Sequence, residues 1–492
     1  MPQADYRRWD DLFAASASRG RALQARIREM ALTAISEGWL KAGSPLPSTR
    51  VLAERLSVAR NTVLLAYQQL VDTGVLESRE RSGYFVRPTA VSYRRPPTPA
   101  TGSAPVAWEP LLTAHPSRQR NISKSPDWLN CRYPFIYGQF DPALFPINDW
   151  RECVRRALGV LEVRHWAPDF IDSDDPALIE QIGNRLLPRR GIWSRPDEIM
   201  VTLGAQQALY LIAELLIRKG TVVGMENPGY PDARNIFELK GARLEPLEID
   251  ASGVVPEAIP SNCDLLYLTP NRQCPTGARL PLERRRELVA LANSRNLVLI
   301  EDDYESNFSI STDPVPMLRS LDQSGRVIYV GTLSKILAPG LRAGYMVAAP
   351  ELVREARALR RLAMRHPPAN NQRALALFIA AGCLDRLLKR VAIEIPKRAA
   401  AMRNAMAQYL PGVTYRYGEG GISFWVRGPD RLDSSLLARR AEAQGVFIEA
   451  GSIFFMDAVP PTEYFRLGFC AIRADRIEPG IRALAGVMGE FG

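Results

Sequence analysis

Residues 331–345 read GTLSKILAPGLRAGY. The run just before them, RVIYV at 326–330, is apolar and β-branched, as a buried strand should be, and it breaks into hydroxyls, one lysine, a Pro-Gly and an arginine. Lys335 has Thr332 and Ser334 on its N-terminal side and Arg342 seven residues later. An amine that attacks a carbonyl must be the free base, so it needs an apolar setting that lowers its pKa. A phosphate held beside it needs hydroxyl donors and the forked N–H groups of a guanidinium. This stretch supplies all of these. An ordinary strand end with a solvated lysine has the same pattern, so its partners elsewhere in the chain decide.

From about residue 126 onward, strand-like and helix-like stretches alternate. The strand candidates are 198–203, 221–225, 243–247, 264–269, 297–301, 326–330 and 343–348, with helical stretches such as 205–217 and 282–294 between them. Such alternation predicts an α/β domain with a mainly parallel sheet, whose ligands gather at the C-terminal ends of the strands. VTLGAQQALYL (201–211) is a strand, a turn through Gly204 and Ala205, and a helix whose free N–H groups suit a phosphate. ENPGYPDA (226–233) sets Tyr230 in a Pro-Gly turn, where an aromatic ring can stack on a planar ligand or simply serve the turn. LTPNRQCPTG (268–277) is a strand end followed by a polar loop. VLIEDDYESNF (298–308) ends an apolar strand in carboxylates, one of which can keep a pyridine nitrogen protonated. Alternation along the strand favours Asp302 over Asp303, and Tyr304 can reach a ring hydroxyl. These pieces suit pyridoxal phosphate (PLP), with Lys335 as the amine that holds it.

With 492 residues, the chain has room for two or three domains. No apolar run approaches the ~18–20 residues of a membrane span, and MPQADYRRWDDLF lacks the apolar core of a signal peptide. Six scattered cysteines without a C-x-x-C pair, and only three histidines, argue against structural zinc or disulfides and for a reducing cytosol. Residues 1–125 carry 18 Lys and Arg against 10 Asp and Glu, so +8 of the formal +10 belongs to the first quarter. Such a concentration is the footprint expected of nucleic-acid binding, although a merely basic soluble domain shares it.

That quarter has a definite order. Residues 23–40 have apolar residues at helical spacing. Ser48 can cap a helix to about Leu56, a turn at 57–59 follows, and a second helix begins at Arg60-Asn61-Thr62 and ends at Gly74. Two short helices joined so tightly make a helix-turn-helix, the second laying its N-terminal residues into the major groove. VLESRERSGYFV (75–86) then alternates like a two-stranded wing, turning near Ser82-Gly83, with Arg79 and Arg81 placed to meet phosphates. Residues 88–126, rich in Pro, Ser, Thr and Arg (RRPPTPATGSAP at 94–105), read as a semi-extended basic linker.

Helix, helix-turn-helix and basic wing, with PS-x-R ahead of the first helix of the pair, resemble the GntR-type winged-helix DNA-binding domain over about residues 20–87. The resemblance implies that Arg50, Arg60, Asn61 and Thr62 contact DNA. Leu64 stands where many relatives carry a basic residue. The C-terminal part, from about Tyr137, resembles the fold-type-I PLP aminotransferases, with flanking helices and a smaller C-terminal α+β subdomain implied. By that resemblance Lys335 forms the internal aldimine, Asp302 pairs with the pyridine nitrogen, Tyr304 contacts the ring hydroxyl and Tyr230 stacks on the ring. Gly204, Ala205, Thr332, Ser334 and Arg342 would hold the phosphate. YFRLGF (464–469) matches the strand whose arginine grips the substrate carboxylate, which makes Arg466 the candidate. Two departures stand out: Cys274 replaces the usual asparagine before P-T-G, and 172–191 lacks an early glycine.

The two resemblances joined by a basic linker resemble the MocR/GabR-type transcription regulators, with domains expected at 1–87, 88–125 and 126–492. This implies a PLP-dependent regulator in which a small primary amine, an amino carboxylate or amino sulfonate, displaces Lys335 as an external aldimine. A head-to-tail homodimer on double-stranded operator DNA is implied as well. The alternatives are a working aminotransferase with a vestigial DNA-binding domain and a regulator that senses PLP itself.

Overall fold

The computed structural model describes residues 3–15, 22–88, 106–122, 124, 127–139, 141–305 and 315–491. The Pro-rich run at 94–105, Ser125, Pro126 and the end of the 298–308 stretch lie outside the described residues. The chain forms two compact units, Met1–Leu112 and Thr113–Gly492.

In the first unit, α1 (Gln3–Ala15) and α2 (Leu23–Ser36) precede α3 (Thr49–Arg55) and α4 (Arg60–Asp72), and the hairpin β1 (Leu76–Arg79) and β2 (Gly83–Val86) closes it. The Ser48 hydroxyl accepts the Val51 N–H at 3.3 Å and starts α3, satisfying a donor that the first helical turn leaves orphaned. Ile27, Met30, Leu52, Val63, Tyr67, Leu70 and Val86 make the core, and the Tyr67 hydroxyl donates to the Pro47 carbonyl at 3.1 Å. Helix α1 was not expected from the sequence. It is fastened by Trp9, fully buried against Trp39 with ring centres 4.9 Å apart, and by Arg55, which donates to both oxygens of Asp10 at 3.0 and 2.7 Å.

The second unit is built on a seven-stranded sheet. Its strands are β3 (Ile199–Thr202), β4 (Val222–Glu226), β5 (Arg243–Leu247), β6 (Leu265–Leu268), β7 (Val298–Asp303), β8 (Val327–Thr332) and β9 (Gly344–Val347). They lie in the order β3-β9-β8-β7-β6-β4-β5, and β9 alone runs antiparallel to its two neighbours. Alternation along each strand sends Ile300, Ile328 and Val330 to the face covered by the helix Ala205–Leu216, and Leu299 and Val327 to the face covered by Leu282–Arg295. Both faces are buried except at the edge strand β5, which reads RLEPL, so the other strands read as nearly unbroken apolar runs. Strands β7 and β8 pair in parallel with Asp302 opposite Val330, which brings Asp302 and the turn carrying Lys335 to the same end of the sheet.

A smaller four-stranded antiparallel sheet follows, with β10 (Thr414–Arg416), β11 (Ser423–Arg427), β12 (Glu449–Ala450) and β13 (Tyr464–Gly468) in the order β10-β11-β13-β12. The helices Cys383–Tyr409 and Ala474–Met488 pack on each other beside it. The architecture is the expected α/β fold with a winged helix in front and a C-terminal α+β part. Of the 88–125 stretch expected as a linker, residues from Thr113 onward belong to the large unit. Asn235 is the reason: its amide donates to the Arg120 carbonyl and to Asn121 Oδ1 at 2.9 and 2.8 Å, and its own carbonyl accepts from Gln119 at 2.9 Å.

Candidate functional site

A cavity of about 220 Å³ opens at the C-terminal ends of β6, β7 and β8. Gly204, Ala205, Tyr230, Asp302 and Tyr304 line it, and so do Thr332, Ser334, Lys335, Arg342 and Arg466. All the cofactor and effector residues picked from the sequence therefore meet in one place.

Lys335 lies between two aromatic faces, its Nζ 4.3 Å from the Tyr137 ring centre and 4.5 Å from that of Tyr304, and it donates to the Tyr137 hydroxyl at 3.1 Å. Burial holds its pKa down, to about 8, against the pull of Glu305. It is thus a nucleophilic amine close to neutral pH. Asp302 sits at the floor. Its Oδ2 accepts from the Tyr267 hydroxyl at 2.7 Å, while the buried Oδ1 has no hydrogen-bond partner among the described residues. Burial raises the Asp302 pKa to about 6. Asp303, one residue on, points to the other face and accepts from Arg190 Nε at 2.9 Å and from the Tyr329 hydroxyl.

The phosphate end is made by three loops. Gly204 has φ +79 and precedes the helix Ala205–Leu216, whose first N–H groups face the cavity mouth. A methyl group on Gly204 would stand 2.9 Å from Arg342 Nη2, so glycine is needed both for the backbone and for the arginine's approach. Arg342 donates to the Leu203 carbonyl at 2.9 Å, and Ser334 Oγ accepts the Ala343 N–H at 2.8 Å. The hydroxyls of Thr332 and Ser334 are buried beside them.

At the opposite end, Arg466 on β13 stands across from Glu449 on β12, and its Nε donates to Glu449 Oε2 at 2.7 Å. Its guanidinium carbon lies 4.0 Å from the Tyr137 ring centre and 4.6 Å from that of Phe454. Cys274 borders this end, 4.0 Å from Arg466 Nη1, and burial pushes its thiol up to about 11, so it is neutral. Tyr137 and Lys124 also line the cavity and were missed from the sequence. Nothing in the local pattern separates Tyr137 from a core tyrosine, and Lys124 falls within a stretch read as linker.

In the first unit, Arg50 at the start of α3 and Arg60 and Asn61 at the start of α4 are exposed, with Thr62 half-buried beside them. Arg60 Nε reaches Thr49 Oγ1 at 3.4 Å, joining the two helix starts. Arg81 projects from the wing tip at φ +59. Arg79 is already engaged, donating to Glu77 Oε1 at 2.8 Å and lying over the Phe85 ring at 4.3 Å.

Residues 147–484 match the model of aminotransferase class I and II, and residues 23–86 match that of bacterial regulatory proteins, gntR family. The HTH-type transcriptional regulator TauR of Rhodobacter capsulatus is 41% identical over 479 residues, 97% of this chain and 98% of its own. The probable rhizopine catabolism regulatory protein MocR of Rhizobium meliloti is 32% identical over 475 residues, 94% and 93% of the two chains. The chain belongs to the MocR family of HTH-type transcriptional regulators. Among solved structures, LysN, an α-aminoadipate aminotransferase of Thermus thermophilus complexed with N-(5'-phosphopyridoxyl)-L-leucine, superposes at a TM-score of 0.71 with 26% identity, covering 78% of this chain and 99% of its own.

The cavity of this MocR-family regulator fits pyridoxal phosphate by its donors. The buried, unpartnered Oδ1 of Asp302 faces where a pyridinium N–H needs an acceptor, and Arg342 with Ser334 and Thr332 suits a phosphate. Like its relatives, the regulator binds DNA through the GntR-type module. Among the described residues no helix is long and apolar enough to cross a membrane.

Proposed function

We propose that this regulator holds pyridoxal phosphate on Lys335 and senses a small primary amine that carries an acid group. When bound, the cofactor supplies an aldehyde carbon to which amines attach, with a ring that withdraws electrons. The residues around it do the rest. Asp302 holds a proton on the ring nitrogen through its unpartnered Oδ1. Thr332, Ser334, Arg342 and the amides at Gly204 and Ala205 would hold the phosphate, and Lys335 would supply the amine. Tyr230 covers the ring and Tyr304 reaches its hydroxyl. The Tyr137 hydroxyl, 3.1 Å from Lys335 Nζ and kept protonated by burial, accepts from that amine and orients it. Arg466 receives the acid group.

One observation carries the effector reading. The heads of Lys335 and Arg466 lie on a single aromatic ring, 4.3 and 4.0 Å from the centre of Tyr137. Amine and acid positions are therefore a short molecule apart, which suits a compact amino acid. We place Arg50, Arg60, Asn61, Thr62 and Arg81 on the DNA, Arg60 and its neighbours in the major groove and Arg81 on phosphate, with Arg79 freed only by parting from Glu77. The reading includes a cytoplasmic head-to-tail homodimer. Exposed Leu158, Val160 and Leu161 give the large unit an apolar face for a second copy.

A gel-shift titration on the protein's own upstream DNA, with and without pyridoxal phosphate and a panel of small amines, tests this with the absorbance followed in parallel. One amine should change both the spectrum and the shift. The low pKa of Lys335 favours a second reading, a working aminotransferase, whereas the neutral thiol of Cys274, a poor substitute for a ring-binding amide, does not. Amines consumed against a keto acid, with no DNA bound, would establish the second reading instead.

A further inference from the structure

We propose that Lys124 is a second acid-binding residue of the effector site, working beside Arg466; the proposal rests on the effector reading above. Arg466 is only partly available, because its Nε is committed to Glu449 Oε2 at 2.7 Å. The other oxygen of that carboxylate, Oε1, is buried and accepts no hydrogen bond among the described residues. Lys124 Nζ stands 3.7 Å from it, too far for a hydrogen bond. Lys124 donates to the Tyr137 carbonyl, which leaves further N–H groups of an ammonium to place.

Two cations share one ion-paired carboxylate here. Lys124 and Arg466 face each other across one carboxylate, and burial together with the Arg466 charge works against the Lys124 ammonium. Asp232, the other carboxylate felt by Lys124, directs Oδ2 to the Tyr230 hydroxyl at 3.0 Å. Glu305 is held by Arg272 at 3.3 Å. Among the described residues Glu449 is thus the one carboxylate within ion-pair distance of both cations. An incoming acid that bridges the Nη groups of Arg466 and the ammonium of Lys124 places a further anion between them, and an acid-free amine does not.

The position of Lys124 in the chain gives this contact a further role. It ends the stretch that enters the large unit after Leu112, on which Arg120 is fastened by donating to the Ser452 carbonyl at 2.7 Å. An acid held by Lys124 therefore fixes the last residues of the connection from the DNA-binding module.

The test uses full-length protein loaded with pyridoxal phosphate, titrated with glycine, β-alanine, aminoethylsulfonate and γ-aminobutyrate, and with propylamine as an acid-free control. The cofactor band and the gel shift are read together. Lys124→Gln should weaken the amino acid that the wild type prefers by roughly 10- to 100-fold, with propylamine weakened far less and the gel-shift response displaced in step with the amino-acid affinity. Lys124→Arg should recover part of the loss. Unchanged amino-acid affinity in Lys124→Gln, or an equal loss for propylamine, overturns the proposal alone. A wild type that answers to no amine overturns the effector reading and this proposal with it.

Discussion

Lys335 owes its reactivity to its neighbours. Burial removes the water that would stabilise an ammonium, Lys124 and Arg466 add positive charge, and the Glu305 carboxylate opposes them. With a pKa of about 8 the side chain carries roughly two orders of magnitude more free base at pH 7 than an exposed lysine. The free base is the reacting form, so cofactor uptake must rise with pH through the folded-state pKa and then level. We expect the rate at which apoprotein acquires the cofactor band to climb from pH 6 to about 8 and flatten above it. A rate still rising in proportion through pH 10 would mean that Lys335 titrates as an ordinary lysine. Asp302 could be chosen over Asp303 from the sequence because strand alternation is a local rule. Tyr137 could not, since its role comes from a ring that meets Lys335 and Arg466 from distant parts of the chain.

Among the elements, the turn between β3 and the helix Ala205–Leu216 ties a backbone conformation to the cavity. Gly204 combines a left-handed backbone with the close approach of Arg342, so Gly204→Ala adds strain of about 1–3 kcal/mol and displaces the guanidinium. We expect equilibrium dialysis to show pyridoxal phosphate affinity lowered by about 10-fold or more, with the melting of cofactor-free protein only slightly changed. An unaltered affinity would remove this loop from the phosphate site. The strands of the large sheet were legible to within a residue or two, because burial on both faces writes them as apolar runs flanked by polar turns. Helix α1 was not legible: charges interrupt its apolar period, and Trp9 finds its partner in Trp39, beyond α2. The stretch from Thr113 also misled, since composition suggests a linker while the Gln119 and Asn121 side chains and the Arg120 carbonyl there suit Asn235.

Across the molecule, charge and chemistry are divided between the two units. Most of the formal positive charge lies in the first quarter, and the titratable groups with the largest shifts lie in the second unit. Variants should therefore separate the two functions. Arg60→Ala should weaken operator binding by about 1–3 kcal/mol and lower the salt dependence by about one phosphate contact, while the cofactor band is retained. Fluorescence anisotropy with labelled operator at several salt concentrations measures both, and an unchanged slope with unchanged affinity would take α4 off the DNA. The tryptophans divide in the same way. Trp9 and Trp39 touch inside the winged-helix unit, whereas Trp425, stacked on Tyr464, belongs to the aromatic cluster that includes Cys274 at the edge of the cavity. Five of the eight tryptophans lie in the second unit, and Trp425 is the one in that cluster. A violet-absorbing cofactor drains the emission of Trp425 by energy transfer, so the protein's own fluorescence reports when the pocket is filled.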